Sequence, residues 1–442
     1  MTADVRPMKT MAETALAEAY ASAKARLPGN RVVAEQREAA FLRFDREGLP
    51  HRRIEEWKYT DLRALLREAK PLAVPPGAGS IARANTAGRW LGNTNARRLV
   101  FVDGSFVAEL SDLSPEPGLS VRSMASALAE GDLAVVARVG RIVPNDDIAV
   151  TLNTAFMGDG AVIRVADRTT LARPLHLVFA YGAERASAVF SRSLIEIGAK
   201  AQATILESHE GPDGIDYQVN GAVDIALGDD ATLDLLKVGA EGRSCLHVGT
   251  AMVAIGARAR LRAFLFTTGG SVVRNQLFVR YDGADADVDI SGASLINGRQ
   301  HLDTTLVVDH AMGGGRSREL FKTVLDGEAQ GVFQGKIIVR PHAQKTDGRM
   351  MSRALLLSPD AEAVNKPELE IFADDVQCGH GATAGALDQE LLFYLRARGI
   401  PEAEAQALLV QAFVGEAVEL VRQEDIKEAL MAAAVNWLAA RA

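Results

Sequence analysis

Cysteine is scarce in this chain: two residues in 442, Cys245 and Cys378, stand 133 positions apart. That excludes a disulfide framework. It also leaves too few thiolates to hold a cluster or a structural metal alone. Long apolar runs are missing as well. The most apolar segment, Ala429 to Ala440, is short and broken at Asn436, so no segment reads as a membrane span. The N-terminus carries Asp4, Glu13 and Glu18 among scattered alanines, without an apolar core for secretion. Positive charge is nowhere concentrated: 49 Lys and Arg face 57 Asp and Glu, for a net charge of −8. No basic run marks a nucleic-acid surface. A Gly-x-x-x-x-Gly-Lys-Ser/Thr loop is absent, so the chain has no ATPase cradle of its own, and no Gly-x-Ser-x-Gly elbow occurs. Gly313-Gly-Gly315 reads as a flexible turn. What remains is a soluble cytoplasmic protein with neither membrane nor nucleic acid as partner.

What is present falls into three zones. At 48% hydrophobic content real cores are available, but 442 residues exceed one compact domain unless part of the chain is an elongated repeat. Residues 1–157 form a helical and mixed zone. Apolar positions Ala12, Ala15, Leu16, Ala19 and Tyr20 keep helical spacing until Pro28-Gly29, and a second helix runs from about Val33 to Arg46. The aromatic cluster Glu55-Glu-Trp-Lys-Tyr-Thr60 reads as packing for this zone. Residues 158–385 change period. Gly198, Gly228, Gly256 and Gly283 recur at intervals of 30, 28 and 27 residues, each with alanine or another small residue three places on and alternating apolars beyond. A strand leaving a tight corner at each repeat predicts a solenoid of β coils, a parallel β-helix; a β-sandwich is the rival. Its terminal coils need capping or pairing, either by the helical ends or by a second solenoid docked edge to edge. Residues 386–442 are helical again, with one stripe at Ala405, Leu408, Leu409, Ala412 and Phe413. A second runs through Ile426, Leu430, Ala433, Trp437 and Leu438. The class is therefore mostly β with helical ends.

Chemistry concentrates at Asp374-Asp-Val-Gln-Cys-Gly-His380. On a strand, Cys378 and His380 share one face, roughly 6–7 Å apart, with Gln377 on the other. Thiolate beside imidazole suits iron–sulfur chemistry, copper(I) or zinc. A small buried hydrophobe and a hydrogen-bonding histidine are the plain alternative. Cys245-Leu-His247 repeats the spacing, and convergence of both pairs would give a four-ligand zinc site. Asp285, Asp287 and Asp289 read as a solvated strand face. An enzyme of solenoid fold acting on carbohydrate or acyl substrates is the alternative function, and it requires paired carboxylates in a cleft.

Several segments carry a resemblance. Arg318-Glu-Leu-Phe-Lys322, Gly331-Val-Phe-Gln-Gly335, Ala343-Gln-Lys-Thr346, Lys366-Pro-Glu-Leu-Glu-Ile371, Asp374 to Thr383 and Phe393-Tyr-Leu-Arg-Ala-Arg-Gly399 resemble the SufD side of the SufB/SufD family of iron–sulfur cluster assembly proteins. Glu55 to Thr60 and Leu152-Asn-Thr-Ala-Phe156 extend the likeness upstream. The resemblance implies a right-handed parallel β-helix between helical ends and a scaffold rather than an enzyme. It implies pairing with a SufB-like subunit through the β-helix, and docking of a SufC-like ABC ATPase on the C-terminal helices. It places a transient iron–sulfur cluster at the SufB-like interface, with His380 as the functional histidine and Cys378 beside it. Gly379 stands where the family pattern carries serine. The family's complex is also associated with a reduced flavin, which no residue here is assigned to hold. Without the SufB-like subunit, exposed solenoid edges allow a homodimer.

Overall fold

A computed structural model describes residues 8–91, 94–143 and 145–441. Its centre is a β-solenoid in which successive strands go alternately to two parallel sheets. The first sheet runs from Arg97–Val102 through Leu175–Ala180, Gln202–Glu210, Thr232–Ala240, Arg260–Thr267, Asp287–Ile296, Arg316–Leu325 and Asp347–Leu356 to Gln377–Gly385. The second runs from Ala161–Val165 through Ala188–Ile197, Gln218–Leu227, Leu246–Ile255, Val272–Tyr281, His301–His310 and Gln330–Val339 to Glu362–Ile371. Registers are in step from coil to coil, so equivalent residues stack in columns. One such column is Ala203, Leu233, Leu261, Val288, Ser317, Gly348 and Cys378.

The recurring glycines have a steric cause. A Cβ on Gly228 would sit 2.7 Å from the backbone nitrogen of Ala199 in the coil beneath, and one on Gly283 only 1.9 Å from that of Ala257. The left-handed residue of each corner comes two places later, at Lys200, Asp230, Arg258 and Asp285, with φ of 61, 60, 55 and 59°. The following alanine, Ala201, Ala231, Ala259 or Ala286, is buried in the lumen. Lumen-facing positions alternate with outward ones along each strand, and Ile195, Ile205, Ile225, Leu233, Val253 and Leu261 build the apolar part of the interior.

The helices do not cap the coils, as one of the two expectations had them. They lie along the outer faces of the sheets, because those faces carry large apolar side chains that water would otherwise meet. Met11–Ala23, opened by a Thr10/Glu13 capping box, together with Arg31–Glu47 and Ile148–Phe156, buries Leu16, Tyr20, Phe44 and Phe156 against Phe190 of the second sheet. Glu402–Val418 and Glu424–Arg441 cover Leu206, Leu236, Phe264 and Val324 of the first sheet. The second C-terminal stripe is buried at Ile426, Leu430 and Trp437. In the first, the buried positions are Ala405, Val410, Val414, Ala417 and Val418, whereas Leu408 and Ala412 face solvent. An alanine-rich helix is apolar nearly all round, so its pattern fixes the phase poorly. Lys322 on the sheet fixes the phase instead: it pairs with Glu416 and lies 4.4 Å from the Phe413 ring centroid.

Two buried polar knots rivet the N-terminal helices to the second sheet. At Trp57 the indole stacks on Arg274 (3.8 Å) and donates to Asp147 Oδ2 (2.9 Å). Arg274 pairs with Asp303, which also accepts from Thr60, Thr305 and Gln334. Asn153 donates to Ser191 O (3.0 Å) and Asn220 O (2.9 Å) and accepts from Arg192, itself paired with fully buried Asp224 at 2.6 Å. The Glu55–Thr60 and Leu152–Phe156 segments are thus structural joints.

The ends of the solenoid differ. At one, both sheets finish in short antiparallel additions, Ser105–Phe106 and Leu119–Ser123. At the other, Glu362–Ile371 and Gln377–Gly385 are the last strands of their sheets and expose an edge of unpaired backbone groups.

Candidate functional site

Cys378 and His380 lie on the last strand of the first sheet, at the open end. Alternation puts both on one face, but that face is the lumenal one. Cys378 stacks over Gly348 and packs against the interior cluster, and His380 stacks over Met350, which belongs to it. Because no coil follows, the lumen is open there: Cys378 is half-buried and His380 exposed. Gln377 and Gly379 face outward. No described residue lies within 4 Å of where a Gly379 Cβ would be, so the described fold does not require glycine at that position.

The thiol is not self-activated. Burial pushes its pKa above the usual thiol value, the charges of Asp347 and Glu319 push the same way, and the Gly348 amide pulls against them. A cation or a partner's positive group must therefore be supplied before the thiolate forms. Asp375 is paired with Lys345, and its amide is held by Gln344 Oε1 at 2.9 Å, so it closes the final corner.

Cys245 and His247 do not join this pair. They sit four strand spacings from the end of the second sheet, roughly 19 Å at ~4.8 Å per strand. Cys245 is enclosed with Tyr181 and Tyr217. The four-ligand zinc arrangement is thereby overturned, since equal spacing in sequence does not bring different coils together. Asp287 and Asp289 are ion-paired with Arg316 at 2.7 and 3.0 Å, and Arg260 adds to Asp287 at 3.5 Å. Asp289 lines a groove on the outer face with Asp234, and each is paired there with an arginine, Arg316 or Arg262. Gly313-Gly-Gly315 forms a solenoid corner, with Gly314 in the left-handed region at φ 73°.

One residue behind the site escaped sequence reading. Glu319 stands two coils beneath His380 in the same lumenal column, with Met350 between them. It is 3% exposed, and neither carboxylate oxygen has a hydrogen-bond partner. The neighbouring Ser317 hydroxyl is engaged with His310 Nε2 at 3.0 Å. Burial pushes the Glu319 pKa up to about 8, against the pull of Ser317 and Arg318. Its position was readable, because Glu319 occupies an apolar-phase place in Arg318-Glu-Leu-Phe-Lys322. The native state thus keeps a proton that the unfolded chain releases near pH 4.5, and stability contributed by this group falls as pH rises from there through 8. Glu319→Gln is expected to flatten that fall, with a gain on the order of 2 kcal/mol over the natural chain at pH 9 and none near pH 4.5, read by urea unfolding.

Exposed apolar groups surround the same end: Phe372 (57%) and, on the helix Gln389–Ala397, Leu391, Phe393 (74%) and Tyr394. A groove of about 820 Å³ runs beside it on the outer face of the first sheet. Leu236, Phe264 and Met351 line it together with Arg262, Arg318 and Arg349, under the turn Leu420–Gln423. Among the described residues no helix is long and apolar enough to cross a membrane.

Fold and site together define a solenoid protein that presents a thiol and an imidazole at an unfinished end, beside unpaired strands and exposed aromatics. The description "SUF system FeS cluster assembly, SufBD core domain" matches residues 179–413, and "SufBD protein N-terminal region" matches 11–177. The chain belongs to the SufBD family of iron–sulfur cluster assembly proteins. It is 31% identical over 386 residues to an iron–sulfur cluster assembly SufBD family protein of Synechocystis sp., covering 84% of each chain. It is 30% identical over 392 residues to the iron–sulfur cluster assembly protein SufD of Escherichia coli, covering 88% of this chain and 89% of that one. A SufBD family protein of Mycobacterium tuberculosis is 30% identical over 414 residues, covering 91% and 93%.

Proposed function

We propose that this chain is a non-catalytic scaffold subunit of a cytoplasmic iron–sulfur cluster assembly complex. It lends Cys378 and His380 to a nascent cluster whose remaining ligands come from a SufB-like solenoid docked on its open end. The observation that carries this reading is the placement of both groups at the solenoid end whose last strands are parallel and full-length, with their outer edges unpaired. A cluster takes about four ligands. One chain offering two holds its cargo incompletely, which suits a site that must pass the product on. Docking would extend both sheets and bury Phe372 with its neighbours. A SufC-like ATPase on the C-terminal helices would supply the energy that this chain has no loop to extract, acting through a shift between conformations. Leu391, Phe393 and Tyr394 are candidates for that contact.

Co-expression with a SufB-like and a SufC-like subunit, and purification through a tag on this chain, tests the reading. A stable three-component complex is expected. Phe372→Asp should release the SufB-like subunit, and Phe393→Asp with Tyr394→Asp the ATPase. Recovery of this chain alone, in amounts equal to the tagged input, would overturn it.

A further inference from the structure

Six strand spacings from Cys378, roughly 29 Å at ~4.8 Å per strand, the lumen holds a second group of chemistry-bearing side chains. His209, Glu241 and His247 each place one donor atom within 4.8 Å of the others, and all three are buried. We infer that they form a binding site for one divalent first-row transition ion, held by two imidazoles and one carboxylate.

Hydrogen bonding explains part of the cluster. His209 Nε2 meets Glu207 Oε1 at 2.6 Å, His247 Nδ1 meets Glu241 Oε1, and Lys237 Nζ stands 3.4 Å from His247 Nε2. Two observations remain. Glu241 Oε2 has no hydrogen-bond partner among the described residues, although the residue is only 4% exposed. Glu207 and Glu241 also bring two carboxylates into one enclosed space with a single lysine, Lys237, a crowding of buried oxygen donors that costs free energy unless a cation compensates it. A divalent cation resolves both. It bonds nitrogen and oxygen donors at ~2.0–2.2 Å, which spaces them about 3–4 Å apart, so the donors need move little. Two histidines and one carboxylate leave further positions open to water. The Glu207–His209 bond is then the carboxylate that orients a ligand ring through its other nitrogen.

The local backbone is cut to fit this group. A Cβ on Gly249 would lie 2.2 Å from Lys237 Nζ and 2.7 Å from His247 Nε2. A cavity of about 40 Å³ reaches the cluster at His209, lined also by Glu207, Lys237 and Gly249, and has room for water beside that ligand.

The test uses the full chain, stripped with chelator and incubated with Co²⁺. One equivalent is expected, with the visible absorption of nitrogen and oxygen ligation and without thiolate charge transfer. The spectrum should persist in Cys378→Ser/His380→Ala, which separates this site from the open end. Binding should weaken at least 100-fold in Glu241→Gln and in His247→Gln. Should those variants misfold, X-ray absorption of the cobalt-loaded natural chain decides: two imidazoles and no sulfur support the site. Failure of the natural chain to bind, a sulfur ligand, or full binding by both folded lumenal variants would overturn it.

Discussion

His380→Ala, reconstituted with the SufB-like and SufC-like subunits proposed above, is expected to slow cluster formation sharply while the complex still assembles. The imidazole is exposed at the open end of the lumen, so its removal costs the solenoid almost no packing. Cys378 is a poor substitute for it, because burial raises the pKa of its thiol. A fall of at least tenfold in the rate of cluster build-up, followed by absorption under anaerobic conditions, is the expected readout, with unchanged subunit stoichiometry on size exclusion. Cys378→Ser should fall less far. An unimpaired rate in the His380 variant would remove the histidine from the site.

Asp303→Ala should produce the largest loss of stability. Asp303 is completely buried and is the acceptor on which Arg274, Thr60, Thr305 and Gln334 converge. Deleting it strands the Arg274 guanidinium, 1% exposed and stacked on Trp57, without its counter-charge. Breaking a buried pair from one side costs about 3–5 kcal/mol. The damage should appear first at the joint between the N-terminal helices and the second sheet. Hydrogen exchange across Met11–Ala23 and Arg31–Glu47 should therefore rise before that of the solenoid strands. Replacing Asp303, Arg274 and Trp57 together by apolar residues of similar volume should cost less than the single change.

The solenoid was legible because its cause is local and repeated. The corner glycines are forced by the coil beneath, so they recur at the coil's own length, and the alanine after each corner marks the lumen. Cys378 and His380 were legible as neighbours on one strand, and their sharing of a face followed from strand geometry. Which face was not legible, since both sides of a terminal coil look half-exposed in sequence. The resting place of the helices was hidden for a different reason. Leu206, Leu236 and Phe264 alternate with lumenal Ile205, Leu235 and Ala263, so both sides of the strands read as apolar and neither reads as outside. Glu319 could have been found from its strand phase. The His209, Glu241 and His247 group could not, because its members come from different coils and meet only once the register is known.

The asymmetry of the two solenoid ends gives the body a direction. A body with adhesive edges at both ends would polymerise into a fibre, each copy templating the next. Here Ser105–Phe106 and Leu119–Ser123 finish one end as short antiparallel strands, whereas the other end finishes on two full-length parallel ones. The two ends therefore present unlike edges, and a head-to-tail fibre would have to join a long parallel edge to a short antiparallel one.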